Sequence, residues 1–241
     1  MSRAGYPPPD PNQPKGFVAM APITVLFDVD GTLVDSNFHH VVAWHHAFLD
    51  VGQEVPCWRI LGCIGRSGDE LLSALLGDEL ADKHGSHAKE LHVKYFLDSA
   101  ALLRRLPGTR ELLEAIAERG WQSVLATSAG EEELAVLRST LDCEDLITAV
   151  TSAADADRAK PHPDIVATAL QRVQAAPVEA IFLGDAIWDM HAARRAGVPA
   201  AAVLSGGTPR QALEEAGAAQ VYDGPLDVHA HIERFSHLVG G

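Results

Sequence analysis

From Pro107 onward, short apolar runs alternate with amphipathic stretches, and that alternation admits few folds. The runs Gln122–Thr127, Leu146–Val150, Ala180–Leu183, Ala200–Leu204 and Gln220–Tyr222 read as strands. Between them, Arg110–Arg119, Glu131–Thr140, Asp164–Gln174 and Trp188–Ala196 read as helices, with Gly120 and Gly197 as stops and Pro163 as a start. Thr208-Pro209-Arg210-Gln211 has the capping-box pattern of one more helix. Strand–helix repetition of this kind builds βαβ units, hence a parallel sheet covered on both faces. Far upstream, Ile23–Val29 is a nearly continuous apolar run rich in β-branched residues, as expected of a strand buried on both sides. The fold class is therefore α/β, a doubly wound parallel sheet whose first strand is separated from the rest.

What separates it is helical. Val41, Trp44, Phe48 and Val51 lie on one face of a helix ended by Gly52. Ser67-Gly68-Asp69-Glu70 is a capping box before Leu71-Leu72 and Leu75-Leu76, and Ala88–Leu106 continues helical with no convincing strand. The predicted division is a Pro-rich tail over 1–20, in which Met20 is a second candidate start, an α/β core over 21–35 and 107–241, and an all-helical insert over 36–106. With 241 residues and 47% hydrophobic residues, such a core can be filled. A net charge of -14 argues against nucleic acid or an anionic membrane held by bulk attraction. Apolar runs fall short of a membrane span. Cys57, Cys63 and Cys143 match neither a zinc ribbon nor a redox pair, so the chain reads as a cytoplasmic protein with reduced thiols.

In open parallel sheets the chemistry collects where the strands end. The first strand delivers Asp28 and Asp30, the Gln122 strand Thr127 and Ser128, the loop after Val150 Lys160, and the Ala180 strand Gly184 and Asp185, with Asp189 four residues on. Singly, each is bland: an isolated Asp-x-Asp is ordinarily a solvated turn, and a lysine before proline an ordinary surface residue. Together on one rim they suit phosphoryl transfer. Carboxylates hold a hard divalent cation such as Mg²⁺. One aspartate can take the phosphoryl group covalently and a second can serve as acid and base. Thr127 and Lys160 can hold the phosphoryl oxygens.

These segments resemble the four motifs of the haloacid dehalogenase superfamily. Asp28-Val29-Asp30-Gly31-Thr32-Leu33-Val34-Asp35-Ser36 is similar to the first, Val124-Leu125-Ala126-Thr127-Ser128 to the second, Ala159-Lys160-Pro161-His162-Pro163-Asp164 to the third and Phe182-Leu183-Gly184-Asp185-Ala186-Ile187-Trp188-Asp189 to the fourth. The likeness runs over about 21–224, and the helical insert resembles the cap that one subgroup, phosphoglycolate phosphatase- and beta-phosphoglucomutase-like, carries between motifs one and two. It implies Asp28 as nucleophile and Mg²⁺ ligand, Asp30 as general acid/base with its backbone carbonyl on the metal, Asp185 and Asp189 as further metal ligands, and Thr127, Ser128 and Lys160 as phosphate-binding residues. Ser128 stands where many relatives have Asn. An acid at the position of Asp30 favours phosphate chemistry over carbon–halogen cleavage.

Leu61-Gly62-Cys63-Ile64-Gly65-Arg66-Ser67 resembles the family's specificity loop, and Arg66 is the candidate for gripping a second anionic group on the substrate. The insert is rich in histidine (His39, His40, His45, His46, His84, His87 and His92), but the adjacent pairs do not share a helix face and His40 and His46 are not at ligand spacing, so no zinc site is predicted. The expected activity is a Mg²⁺-dependent phosphatase on a small phosphorylated metabolite. A phosphosugar mutase returns the phosphoryl group to another hydroxyl on the same fold, and a catalytically idle binding module is the third reading.

Overall fold

The computed structural model describes residues 22–239, so the expectations for the Pro-rich tail and for Met20 lie outside the described residues. Strand β1 (Thr24–Phe27) leads through a short β2 (Val34–Asp35) into helices α1 (Asn37–Asp50), α2 (Cys57–Leu61), α3 (Gly68–Leu76) and α4 (Asp78–Asp98). After β3 (Arg104–Arg105) the chain alternates through α5 (Thr109–Glu118), β4 (Gln122–Ala126), α6 (Glu131–Leu141), β5 (Ala149–Thr151), α7 (Asp164–Val173), β6 (Ala180–Gly184), α8 (Ile187–Arg195), β7 (Ala200–Val203), α9 (Arg210–Ala216) and β8 (Gln220–Tyr222). It ends in α10 (Pro225–Ala230) and α11 (Ile232–Ser236).

Six strands form one parallel sheet in the order β5-β4-β1-β6-β7-β8. Side chains of successive strand residues point to opposite faces. Val25, Phe27, Leu125, Ile181, Leu183, Ala201 and Val203 therefore pack into one layer with α5, α6, α10 and α11. Leu26, Val124, Ala126, Phe182, Ala200 and Ala202 pack into the other with α7, α8 and α9. Both faces of the central strands are buried, which is why their sequences are apolar throughout rather than alternating. The helical insert has a core of its own, built on Val41, Trp44, Phe48, Ile60, Leu71, Leu72 and Leu75. Ala43 and Phe96 instead join the sheet's first layer and seat the insert on it.

Several boundaries differ from expectation. The predicted helix over Ala88–Leu106 starts earlier, at Asp78, and ends at Asp98; beyond it Arg104–Arg105 is a strand, antiparallel to Val34–Asp35. The two passages between core and insert run side by side, and pairing satisfies their backbone groups, as does the bond from Leu106 N–H to Leu33 C=O at 2.9 Å. The strand predicted from Leu146 begins at Ala149, after a 3₁₀ turn over Glu144–Leu146. Helix α9 begins at Arg210, one residue late: Pro209 is extended (ψ 140°), and no side chain caps the first turn. The Ser67 box does form, with Ser67 Oγ accepting from Glu70 N–H at 3.2 Å.

Candidate active site

Register fixes the site. Phe27 pairs with Leu125 on one side and Leu183 on the other, so Asp28, Thr127 and Asp185 emerge on adjacent strand ends at one edge. Asp28 is tied to the sheet by its own N–H, which donates to Leu183 C=O at 2.9 Å. Lys160, 1% exposed, donates to Asp28 Oδ1 at 2.6 Å and stands 2.8 Å from Asp189 Oδ1. Asp189 Oδ2 accepts the N–H groups of Asp185 (3.2 Å) and Ala186 (3.0 Å), so the same carboxylate closes the first turn of α8. Asp185 accepts from Thr32 Oγ1 at 3.1 Å and from Asn37 Nδ2 at 2.8 Å.

Three buried carboxylates, Asp28, Asp185 and Asp189, thus each bring an oxygen within 4.8 Å of the others. Burial pushes the Asp28 carboxyl up to about 7; Lys160 pulls against that, and Asp189 and Asp30 add to it. Burial, then Asp189 and Asp28, push Asp185 well above the usual carboxylate range. For Lys160, burial works downward, but Asp189 and Asp28 hold it above the ordinary lysine value. One ammonium facing three carboxylates leaves a deficit of positive charge, and the donors are all oxygens. That set fits a hard divalent cation. The backbone leaves room for it: a Cβ on Gly206 would lie 1.7 Å from Asp185 Oδ2, and one on Gly31 (φ +68°) 2.7 Å from the same oxygen.

The Asp30 carboxylate stands outside this cluster. Its Oδ1 accepts from Ser36 Oγ at 2.5 Å and lies 3.1 Å from His40 Nε2. Burial opposes ionisation there, but His40 and Ser36 outweigh it and hold Asp30 below its usual value. Thr127 Oγ1 accepts from Ala129 N–H at 3.1 Å. The neighbouring Ser128 hydroxyl is buried without a partner at the wall of a cavity of about 300 Å³, as a donor kept for a ligand oxygen would be. Asp28 and Asp30 lie in that wall, and Trp44, Ile64, Leu71 and Val93 of the insert supply its apolar side.

Arg66 reaches the same cavity from the insert. Its guanidinium carbon lies 3.8 Å from the ring centroid of Trp188, and its Nε is buried without a partner. The loop holding it rests on the turn after β6: a Cβ on Gly65 would meet Ala186 Cβ at 3.1 Å and Trp188 Cδ1 at 3.2 Å.

Sequence reasoning passed over several residues at this edge. Asn37, one position beyond the first motif, links Asp185 to Gly206 C=O (3.0 Å). Trp188 is the shelf for Arg66. His92 and Glu133 meet beside His40, from helices far apart in sequence. His92 stood only among the histidines of the insert, and the one signal for Glu133 is an acid three residues after Gly130 at a helix start.

A family model described as haloacid dehalogenase-like hydrolase matches residues 25–203. The chain belongs to that family. Among haloacid dehalogenase-like relatives, a phosphorylated carbohydrates phosphatase of Thermotoga maritima is 28% identical over 177 residues, covering 72% of this chain and 81% of the relative. Phosphoglycolate phosphatase 1 of Pseudomonas aeruginosa is 25% identical over 92% of this chain and 84% of its own. In structure, a hydrolase from Pseudomonas syringae is similar with a TM-score of 0.85 and 33% identity, covering 89% of this chain and 99% of the other. A beta-phosphoglucomutase from Clostridium difficile shares the fold at 0.78 and 20% identity, covering 90% and 97%. The chain is thus a haloacid dehalogenase-like hydrolase with phosphatase-named homologues, and no helix among its described residues is long and apolar enough to cross a membrane.

Proposed function

We propose that this hydrolase is a Mg²⁺-dependent, cytoplasmic phosphatase of a small phosphorylated metabolite, working through an aspartyl-phosphate on Asp28. The observation that carries this reading is the Asp28–Lys160 pair set among Asp185 and Asp189 at the cavity floor, with Asp30 turned away from them toward the cavity wall. Asp28, Asp185 and Asp189, with the Asp30 carbonyl, would hold the metal, which when bound supplies positive charge beside the phosphoryl group.

The residues then divide the work. Lys160 fixes the Asp28 carboxylate in place and offers its charge to the phosphoryl oxygens, which Thr127 and Ser128 also meet. A free oxygen of Asp28 attacks phosphorus, and the bond from phosphorus to the ester oxygen breaks. Asp30 passes to the departing oxygen the proton it shares with His40. It then takes a proton from the water that attacks phosphorus, inorganic phosphate leaves, and Asp28 is restored. The insert seated over the cavity keeps bulk water out while the ester is cleaved.

The test is phosphate release from a panel of phosphorylated metabolites, with Mg²⁺ and with chelator. The native enzyme should release phosphate only with metal. Asp28→Asn should lower turnover by at least about 10³-fold; full activity in that variant would remove Asp28 from the role of nucleophile. A sugar phosphate returned as its isomer, without free phosphate, would mark a mutase instead.

A further inference from the structure

The cavity has two unlike parts. Asp28, Asp30, Thr127 and Ser128 border the part where the phosphoryl group belongs. Elsewhere the wall is apolar: Trp44, Ile64, Leu71 and Val93 come from the insert, and Ala129 and Ala153 continue it on the core. The ring of Trp44 is fixed in place, stacked on His92 at 4.2 Å, and His40 is in turn stacked on Phe96 at 4.0 Å.

Hydrogen-bond accounting separates this wall from one built for hydroxyls. Outside the phosphoryl part, every polar side chain on the cavity except Arg66 already has a partner in the protein. His92 Nε2 shares a hydrogen bond with His40 Nδ1 at 3.0 Å, and its other nitrogen stands 3.4 Å from Glu133 Oε1. Glu133 Oε2 accepts from Gly130 N–H at 2.9 Å, and Ser67 Oγ from Glu70 N–H at 3.2 Å. Lys89 donates to Asp69 at 2.6 Å, and both are well exposed, which places that pair where the cavity meets solvent. Arg66 is the exception: its buried Nε has no partner among the described residues. A sugar would bring several hydroxyls into this space. Each would give up water against Trp44, Ile64, Leu71 or Val93 for at most a share in bonds already made, and a buried polar group without a partner is costly. An apolar body gains by burying its surface there.

The cavity also limits size. About 300 Å³ lies at the small end of ligand pockets, and the phosphoryl group takes part of it. We propose that the substrate is a phosphate monoester whose alcohol has an apolar body, one ring or a short branched chain in size, and is not a sugar or other polyol. Arg66 leaves place for a single anionic group on that body. The proposal rests on the phosphatase reading and deepens it: the core carries out the reaction, and the apolar face of the insert selects the alcohol.

Two pairs of esters test this at saturating Mg²⁺: 2-methylbutyl phosphate against glycerol 3-phosphate, and cyclohexylmethyl phosphate against glucose 6-phosphate. Within a pair the skeletons are nearly alike, and only the second member carries hydroxyls. All are esters of primary alcohols, and hydroxyls make the polyol the more acidic alcohol and the better leaving group. An advantage of the apolar member therefore comes from the cavity and not from the bond that breaks. Phosphate release should give a kcat/KM at least about tenfold higher for the apolar member of each pair. Ile64→Asn sets an amide into the wall at a partly buried position, outside the fully buried core of the insert. In that variant the ratio should fall by at least about threefold in each pair. A lower ratio than tenfold in the native enzyme, or a ratio that Ile64→Asn leaves unchanged, would overturn the proposal. Failure of the phosphatase reading looks different: the native enzyme would release phosphate from none of the four esters, or Asp28→Asn would stay fully active.

Discussion

The two buried polar clusters of the molecule are built on opposite plans. The floor around Lys160 gathers at one edge of the sheet, from the ends of β1 and β6, the first turn of α8 and the loop before α7, and sets the carboxyl groups of Asp28, Asp185 and Asp189 against a single ammonium. The chain around His92 spans two layers, from α1 and α4 of the insert to α6 of the core, and its central ring is neutral. Yet the first also reaches the insert, through the bond from Asn37 Nδ2 on α1 to Asp185 Oδ2 at 2.8 Å. The comparison teaches that one sheet edge is enough to gather carboxyl groups around a single cation, whereas a row of stacked rings has to be assembled across the joint between insert and core.

The sharpest way to break the comparison is to remove one partner from the floor. Lys160→Met keeps the length of the side chain and deletes its charge. Asp28 and Asp189 are then left buried without a cation, a loss of about 3–5 kcal/mol when one partner of such a pair is removed. Turnover should fall by at least about 10²-fold, since the donor to the phosphoryl oxygens goes too. Chemical denaturation and phosphate release measure the two effects. A variant as stable as the native protein would mean that the floor is solvated and not a charged, dry cluster.

The floor was legible in the sequence because register makes it so. Residues at the ends of apolar runs in parallel strands arrive together, so Asp28, Thr127 and Asp185 could be gathered from the runs, while Lys160 was placed only in the loop that follows the third of them. The His92 chain was not legible. His40 and His92 are 52 positions apart on different helices, and their meeting depends on the crossing of α1 and α4, which periodicity does not encode. The same holds for the strand at Arg104–Arg105: a two-residue strand has no period, and it forms because the two passages between core and insert lie side by side.

If the floor holds the proposed cation, metal and proton compete there, which gives a second, smaller test. Asp28, pushed up to about 7, and Asp185, pushed well above its usual range, bind protons in the folded state that the unfolded chain has released above roughly pH 4. A raised carboxyl stabilises the fold at low pH, and that contribution is lost as pH rises through about 7. His40, also raised, acts with the same sign; His92, lowered, acts against it as pH falls below about 6.5. Taking the Tm with Mg²⁺ minus the Tm with chelator at each pH removes the histidines from the comparison. That difference should be larger at pH 8 than at pH 6, and the Mg²⁺ affinity should fall about tenfold per pH unit below 7 for each proton displaced. A difference that is flat across this range would place the cation elsewhere.

The smallest effect belongs to a further contact of the insert with the core, the stack of Arg66 on Trp188. A guanidinium lying on an indole face gains about 0.5–2 kcal/mol, and here it also fixes where the charge points. The buried, unpartnered Arg66 Nε at the cavity edge leaves donor capacity for a substrate anion. Trp188→Leu keeps an apolar shelf but removes the π face. KM for a substrate carrying a second anionic group should rise about 3- to 10-fold, the equivalent of roughly 1 kcal/mol. For a substrate without that group KM should stay near its native value, and kcat should change little for either, because Trp188 touches neither Asp28 nor Asp30. If both substrates weaken equally, the stack serves to seat the insert and not to choose the substrate, and it joins Asn37 with Asp185 and His92 with Glu133 among the contacts that hold insert and core together.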